Sequence, residues 1–464
     1  MKKETEFLYT RLANTLREQI HSGYIKSGDF IMTEADLSTH YGMSRTSVRK
    51  ALDELLKEGL IVKRPGQGTM VSPDFTPKSA KRRTLTVFAT SPSHYIHNGM
   101  QAIMDAFKNK HPDVDVKLLN IAALGFWESV RNSRELGIQP DLIFVTDREY
   151  SELENKDSFI NLTEIQSDLP APMYVKLAEA FDHAGSIIAL PVTFSTVYLT
   201  YNPDLFRIYD VPLPGRRWTQ KEFIKAARKL TVDTDGDGII DRFGFSLSSA
   251  LSRWPVIALQ NGVNFMESGN REPLVHALHF LHEILYKQRA ASLYQSTHYR
   301  LNSDAFRCEK AAMVLTTSIE IAGWRNEGLR FEPEVAPLPF GDLKSTLLVS
   351  NLFMIPSSCK DISLAADFLR TALDEQVQKK ISAENQYLSV VKSVNEQVWD
   401  KAYLETLNIV NGVIRNGYFL HEVIPDAIVE ELDTEMELFW AGMETADSFS
   451  ERLHERIAAI RGTS

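Results

Sequence analysis

Read for the spacing of its apolar positions, the chain opens with Leu8, Leu12, Leu16 and Ile20 on one stripe of residues 6–22, which predicts a helix closed by Gly23. Thr33 to Tyr41 (TEADLSTHY) starts with a Thr-x-x-Asp cap and stops at Gly42, a second, short helix. In residues 44–71 (SRTSVRKALDELLKEGLIVKRPGQGTMV), Val48, Leu52, Leu55 and Leu56 repeat with helical period behind a capping Ser44. Past Gly59 the text reads as two short strands around a Pro-Gly-Gln-Gly turn, whose glycines accept the positive φ of a tight hairpin. Residues 72–84 (SPDFTPKSAKRRT) lose periodicity and gather Pro, Ser and basic residues, the texture of a linker. From Leu85 short β-forming runs (LTVFA, VDVKLLN, DLIFV) alternate with helical segments at 98–110 and 126–136. That alternation predicts a parallel sheet with helices on both faces, and a ligand site beyond the strand ends at Ala89 and Val145.

Helix, Gly-containing turn, helix and hairpin in that order make a winged helix-turn-helix. On the outer face of its third helix Arg45 and Arg49 stand four residues apart with Thr46, Ser47 and Lys50 around them, and Lys63 and Arg64 flank a wing tip of Gly66, Gln67 and Gly68. A basic helical face alone is normally a solvated one; here the hairpin beside it makes it a DNA-reading pair.

Charge sharpens this division. Residues 1–78 carry 12 Lys+Arg against 10 Asp+Glu, whereas the rest of a 464-residue chain of net charge −10 carries 39 against 51. Affinity for nucleic acid is thus expected only at the front, and the acidic remainder suits a neutral small molecule. The opening MKKETEFLYTRL lacks the apolar core of a signal peptide, and no run is long enough to span a bilayer, so a cytoplasmic protein is expected. Cys308 and Cys359 stand apart, outside any Cys-x-x-Cys, and read as structural thiols.

Residues 8–71, from LYTRLANTLREQIHSGYIKSGD through MSRTSVRKALDELLKEGLIVKRPGQGTMV, resemble the DNA-binding domain of the GntR family of bacterial transcription regulators. The resemblance implies major-groove readers at Arg45, Thr46 and Arg49 and a minor-groove wing tip at Gly66 to Gly68. Where that family usually reads Leu-Pro-Ser-Glu-Arg, this chain reads Met32-Thr33-Glu34-Ala35-Asp36 and lacks the phosphate-touching Arg. The remainder resembles the extracellular solute-binding proteins of family 1, the maltose-binding-protein-like group, in FKNKHPDVDVKLLN (107–120), PDLIFV (140–145), ALPVTFSTVYLTYNPDLF (189–206), WTQKEFIKAARKLTVDTDGDGIIDRFGF (218–245), FRCEKAAMVLTTS (306–318) and APLPFGD (336–342). Where that group commonly has Ala-Ala-Met-x-x-x-Gly-Ser-Trp, this chain has AAMVLTTSI (311–319), with Ile319 in place of the stacking Trp.

These resemblances imply an α/β multidomain chain: a winged helix-turn-helix at residues 1–71, a linker at 72–84, and a two-lobed periplasmic-binding-protein-like (type II) domain at 85–464. One lobe is expected at about 85–192 and 347–395, the other at about 195–345 and 400–464, with crossings near Val192–Val197, near Leu347–Asn351 and in the C-terminal helices. A sugar site needs flat aromatic platforms and a few polar anchors, and the candidates are Trp127, Asp147, Phe194, Tyr198, Trp254, Glu320, Trp324 and Tyr387. Any one of these aromatics reads as core more readily than as platform. Asp233, Asp235, Asp237 and Asp241 imitate the start of a calcium loop, but Gly244 stands where the bidentate Glu is needed, so a solvated turn is the better reading. His276, His279 and His282 sit among Leu278, Phe280 and Leu281, a half-buried helix rather than metal ligands. No nucleophile elbow, metal motif or phosphate loop appears, and neither metal nor cofactor is expected. The expected function is a homodimeric regulator on a palindromic operator, sensing a sugar, oligosaccharide or related solute. The competing readings are a cytosolic solute-binding or transport-associated protein with a vestigial DNA-binding head and, more remotely, a sugar-modifying enzyme.

Overall fold

The computed structural model describes residues 8–21, 24–75, 82–266, 271–294 and 304–462. Its internal contacts divide it into a small unit, Met1–Arg83 with Asp113–Asp115, and a large one formed by the rest. Of the linker expected at 72–84, residues 76–81 lie outside the described residues, and Arg83 and Thr84 already begin a strand.

The head is built as its periodicity requires. Helix α1 (Leu8–His21) buries Leu12, Leu16 and Ile20 against Leu37 of α2 (Glu34–His40) and Val48, Leu52 and Leu55 of α3 (Arg45–Lys57). Each such side chain contributes about 1.5–3 kcal/mol by leaving water. Both later helices start where the sequence places a cap: Thr33 Oγ1 accepts from Asp36 N–H at 3.2 Å, and Ser44 Oγ accepts from Ser47 N–H at 3.1 Å. Strands β1 (Ile61–Arg64) and β2 (Gly68–Val71) pair antiparallel, with Lys63 opposite Thr69, and Gly66 and Gly68 at the tip have φ of +74° and +117°.

The large unit holds two large sheets, one for each of its two lobes, beside the two-stranded pairs Asp182–His183 with Ser186–Ile187 and Ile409–Val410 with Val413–Ile414. In the first the strand order is Leu388–Ser389, Leu190–Thr196, Thr346–Met354, Leu142–Thr146, Arg83–Ser91, Val114–Ala122, with Gly417–Tyr418 also paired to Thr346–Met354. In the second it is Ala291–Tyr294, Phe243–Ser248, Ala311–Thr316, Tyr198–Tyr201, Glu334–Ala336. Neither sheet is wholly parallel as the alternation of runs predicts. Thr346–Met354 runs antiparallel to both its long neighbours, and Tyr198–Tyr201 antiparallel to both of its own. The cause is the connection between lobes. The chain leaves the first sheet at Thr196, enters the second at Tyr198, and returns at Thr346, so these segments run against strands that a βαβ crossover would have kept parallel. The two passages lie side by side: Val197 N–H donates to Leu347 O at 2.8 Å, and Thr346 Oγ1 donates to Val197 O.

In the second lobe Phe223, Phe245, Trp254, Met313 and Phe340 form a core with Ile428, Phe439, Trp440 and Leu453 of the C-terminal helices. The helix Ser318–Asn326 leaves this lobe's strand Ala311–Thr316 and runs to the first lobe, where a Cβ added at Gly323 would stand 2.2 Å from His94 Nδ1.

Because the cap on α3 belongs to the head alone, Ser44→Ala should lower the head's stability by about 1 kcal/mol and leave the lobes unaffected. Hydrogen exchange resolved by segment checks this; unchanged protection in α3, or equal loss in the lobe strands, would contradict it.

Candidate nucleic-acid interface and solute cleft

On the head, Arg45, Thr46, Arg49 and Lys50 of α3 are exposed, as are Lys63, Arg64, Gly66, Gln67 and Gly68 of the hairpin. Ser47 is half-buried, with its hydroxyl 3.0 Å from that of Ser44. Two of the cations are already engaged inside the head. Arg49 Nη2 donates to Glu34 Oε2 at 2.8 Å, which holds the Glu34 carboxyl below its ordinary range, and Lys63 Nζ lies 3.5 Å from Asp53 Oδ1. Both pairs are exposed and worth little in water, so a phosphate or base edge can replace them at small cost.

In the large unit a cleft of about 220 Å³ lies at the carboxyl ends of the strands Arg83–Ser91 and Leu142–Thr146. The first lobe lines it with Thr90, His94, Asp147, Glu149, Ser350 and Asn351, and the second with Ser252, Arg253, Thr317, Ile319 and Glu320.

Local sequence fixes each charge. Thr317 caps the helix Ser318–Asn326, and Glu320, its fourth residue counting from that cap, completes a capping box. Oε2 of Glu320 accepts from Thr317 N at 2.9 Å, Thr317 Oγ1 at 3.0 Å, Thr316 Oγ1 at 2.6 Å and Arg253 Nη2 at 2.7 Å. The Arg253 and Glu320 side chains are 3% and 9% exposed. All four of these bonds fall on the one oxygen, Oε2. Thr146 and Glu149 repeat the capping-box device on the first lobe, and Glu149 Oε1 accepts from Thr90 Oγ1 at 2.9 Å. Between them Asp147 Oδ1 accepts Ser350 N–H at 2.8 Å. Burial pushes the Asp147 carboxyl up to about 7, against the pull of the Ser350 amide, with Glu149 adding to the rise. Asn351, which lines the cleft, has its Nδ2 buried without a hydrogen-bond partner among the described residues.

Of the eight ligand candidates read from sequence, Asp147 and Glu320 line this cleft. Phe194, Tyr198, Trp254, Trp324 and Tyr387 are buried in the lobes, each at most 2% exposed. Trp254 packs on Phe265 and Trp440, Trp324 on Phe306, and Phe194 on Tyr174. Tyr387 meets the Tyr95 ring edge-on. Trp127 lies beside the cleft and donates from Nε1 to Glu149 O at 2.6 Å, so it holds the backbone of a lining residue. Sequence reading passed over Arg253, Glu149 and Asn351. A Thr-x-x-Glu capping signal marks Glu320 and Glu149, but nothing in the neighbourhood of Arg253 or Asn351 distinguishes them from surface residues. Ile319 lines the cleft, and among the described residues no Phe, Tyr or Trp does.

The Asp233, Asp235 and Asp237 carboxylates gather within 4.8 Å of one another on the surface. Asp233 accepts the Gly236 and Gly238 amides, both at 2.7 Å, as a solvated turn would.

A winged-helix head followed in the chain by two α/β lobes around a polar cleft defines a solute-binding fold that carries a DNA-binding module. The chain belongs to the bacterial extracellular solute-binding protein family, which it matches over residues 102–406, and residues 8–71 match the bacterial regulatory proteins of the gntR family. In the head it is 42% identical over 64 residues to the mannosyl-D-glycerate transport/metabolism system repressor MngR of Escherichia coli, an overlap of 14% of this chain and 27% of that one. The chain thus spans about a quarter of the length of that relative. The lobes share the fold of an ABC transporter solute-binding protein from Thermotoga lettingae bound with α-D-tagatose (TM-score 0.69, 15% identity, 82% of this chain and 99% of that one). They share it equally with the maltose/maltodextrin-binding domain MalE of Bdellovibrio bacteriovorus bound to maltotriose (TM-score 0.66, 16% identity, 82% and 100%).

The raised Asp147 carboxyl gives a test. In the folded chain it keeps its proton to about pH 7, whereas an unfolded Asp releases it near 4, so ionisation costs stability as pH rises between those values. Asp147→Asn, which keeps an acceptor for Ser350, should therefore stabilise the protein, by an increment growing up to about 1.4 kcal/mol per pH unit from 4 to 7 and then constant. Denaturant titrations across pH measure it; an increment that shrinks as pH rises would contradict the assignment.

Proposed function

We propose that this chain is a transcription regulator whose winged-helix head binds operator DNA and whose two-lobed fold senses a sugar or similarly hydroxylated small solute. The observation that carries the reading is the joining, in one chain, of a gntR-type head that leaves Arg45, Thr46, Arg49 and its wing exposed with a solute-binding fold whose cleft is lined by three buried carboxyl groups, Asp147, Glu149 and Glu320, and by Asn351 with its unpartnered amide. A repressor among the head's relatives and the sugars named with the solved relatives of the lobes support each half.

In this reading residues 1–71 form the reading head, 72–84 the tether and 85–464 the sensor, with lobes at about 85–192 with 347–395 and 195–345 with 400–464. The protein acts in the cytoplasm as a homodimer on a palindromic operator, one half-site per head, and turns over no substrate. Asp147, Glu320 and Asn351 anchor the effector, and Arg253 holds Glu320 in place. The cleft is smaller than the roughly 300–1,000 Å³ of pockets for drug-sized ligands and, among the described residues, has no Phe, Tyr or Trp as a platform, so it fits one small solute better than an oligosaccharide.

Arg49→Ala should cost about 1–3 kcal/mol of preference for the operator over random DNA, while Lys63→Ala should weaken both alike and flatten the salt dependence by about one unit of slope. Binding titrations on an operator selected from random sequence test this, and equal loss on both DNAs for Arg49→Ala would refute its base-reading role.

Effector and operator should also be coupled by a factor of roughly 5–150, the same in both directions. Calorimetry of effector with and without saturating operator, and of operator with and without effector, measures it. Affinities equal within each pair would leave the lobes without a sensory role.

A further inference from the structure

The polar cleft does not end at Asp147 and Arg148. Those two residues, with Ser252 and Val349, also line a second chamber of about 200 Å³. Aliphatic side chains make up much of its walls, Leu251, Leu347 and Leu348, each 1% exposed, with Leu420 and Val429, and the polar Ser151, Glu152 and Asp426 line it as well. The polar groups at its edge include His421, whose imidazole stacks on Phe419 at an interplanar angle of 10°. Burial holds that imidazole below its ordinary range, so it faces the chamber as a neutral ring.

A second sugar ring would be poorly served here. Its C–H face needs a flat aromatic surface, and among the described residues no Phe, Tyr or Trp lines either chamber. Aliphatic walls suit an alkyl or aryl group. Because the chambers share four lining residues, one molecule can place a polar part on one side of Asp147 and an apolar part on the other.

We propose that the effector is amphipathic: a hydroxylated head held by the polar cleft and a short alkyl or aryl substituent received by the aliphatic chamber, as in a glycoside with an apolar aglycone. The proposal rests on the reading of the cleft as a sugar site. Leu347–Val349 belong to the strand that returns the chain from the second lobe to the first, so the apolar part also touches a passage between the lobes.

The test is calorimetric titration of the full-length protein with methyl, n-butyl and n-hexyl glycosides of glucose, galactose and mannose. For the sugar whose methyl glycoside binds, affinity should rise about fourfold per methylene taken up, until the chamber is full. Val429→Trp and, separately, Leu420→Trp should each abolish that rise and leave the methyl glycoside's affinity unchanged. A methyl glycoside that binds with no gain from the longer chain overturns the proposal and leaves the sugar reading standing. A gain that survives in both filled variants overturns it too, since the chain then lies elsewhere. If no glycoside of any of the three chain lengths binds, the sugar reading falls and the proposal with it.

Discussion

A carboxylate taken out of water must be answered by donors, and the arrangement around Glu320 follows from that requirement. Desolvating a single ion costs several kcal/mol, and removing one partner of a buried pair about 3–5. Oε2 meets the cost with two threonine hydroxyls, a backbone amide and the Arg253 guanidinium. The same bonds settle geometry well beyond the carboxylate. They start the helix Ser318–Asn326 at Thr317 and fasten to it the loop carrying Arg253, while the next residue, Trp254, turns into the core against Phe265 and Trp440. A charge that would be a liability in a plain core thus sets where the second lobe presents its polar surface.

Two different physical problems are solved along one chain. The head is a small core whose outer face stays cationic and loosely paired, and loose pairing is what an exchange with phosphate requires. The lobes bury charges such as Glu320 and Arg253 together with their partners, while among the described residues several uncharged groups, Asn351 Nδ2 and Asn202 Nδ2 among them, are buried without one. The acidic excess of residues 79–464 belongs to a part that gains nothing from attraction to nucleic acid.

How far each part could be read in advance depends on the range of the forces that shape it. The head was legible almost to the residue because caps at Thr33 and Ser44, helical period and turn glycines are local signals, and local bonds settle its elements. In the lobes the strands were legible as apolar runs, but not the direction in which the crossing strands run, since that is decided by a partner more than a hundred residues away, as with Val197 and Leu347. The cleft was least legible. Aromatic type carries no mark of which way a ring faces: Trp254 in LSRWPV reads as a loop residue and is fully buried, while its neighbour Arg253, unremarkable in the text, lines the cleft. Ser350 and Asn351 acquire meaning only when the returning strand brings them beside Asp147.

Gly323 carries a consequence for how the lobes meet. Its bare Cα faces the His94 ring so closely that a side chain there would collide with the imidazole. Any larger residue would have to push that ring aside or hold the helix Ser318–Asn326 off the first lobe. The missing Cβ is thus what lets a helix of one lobe come to rest directly against the other.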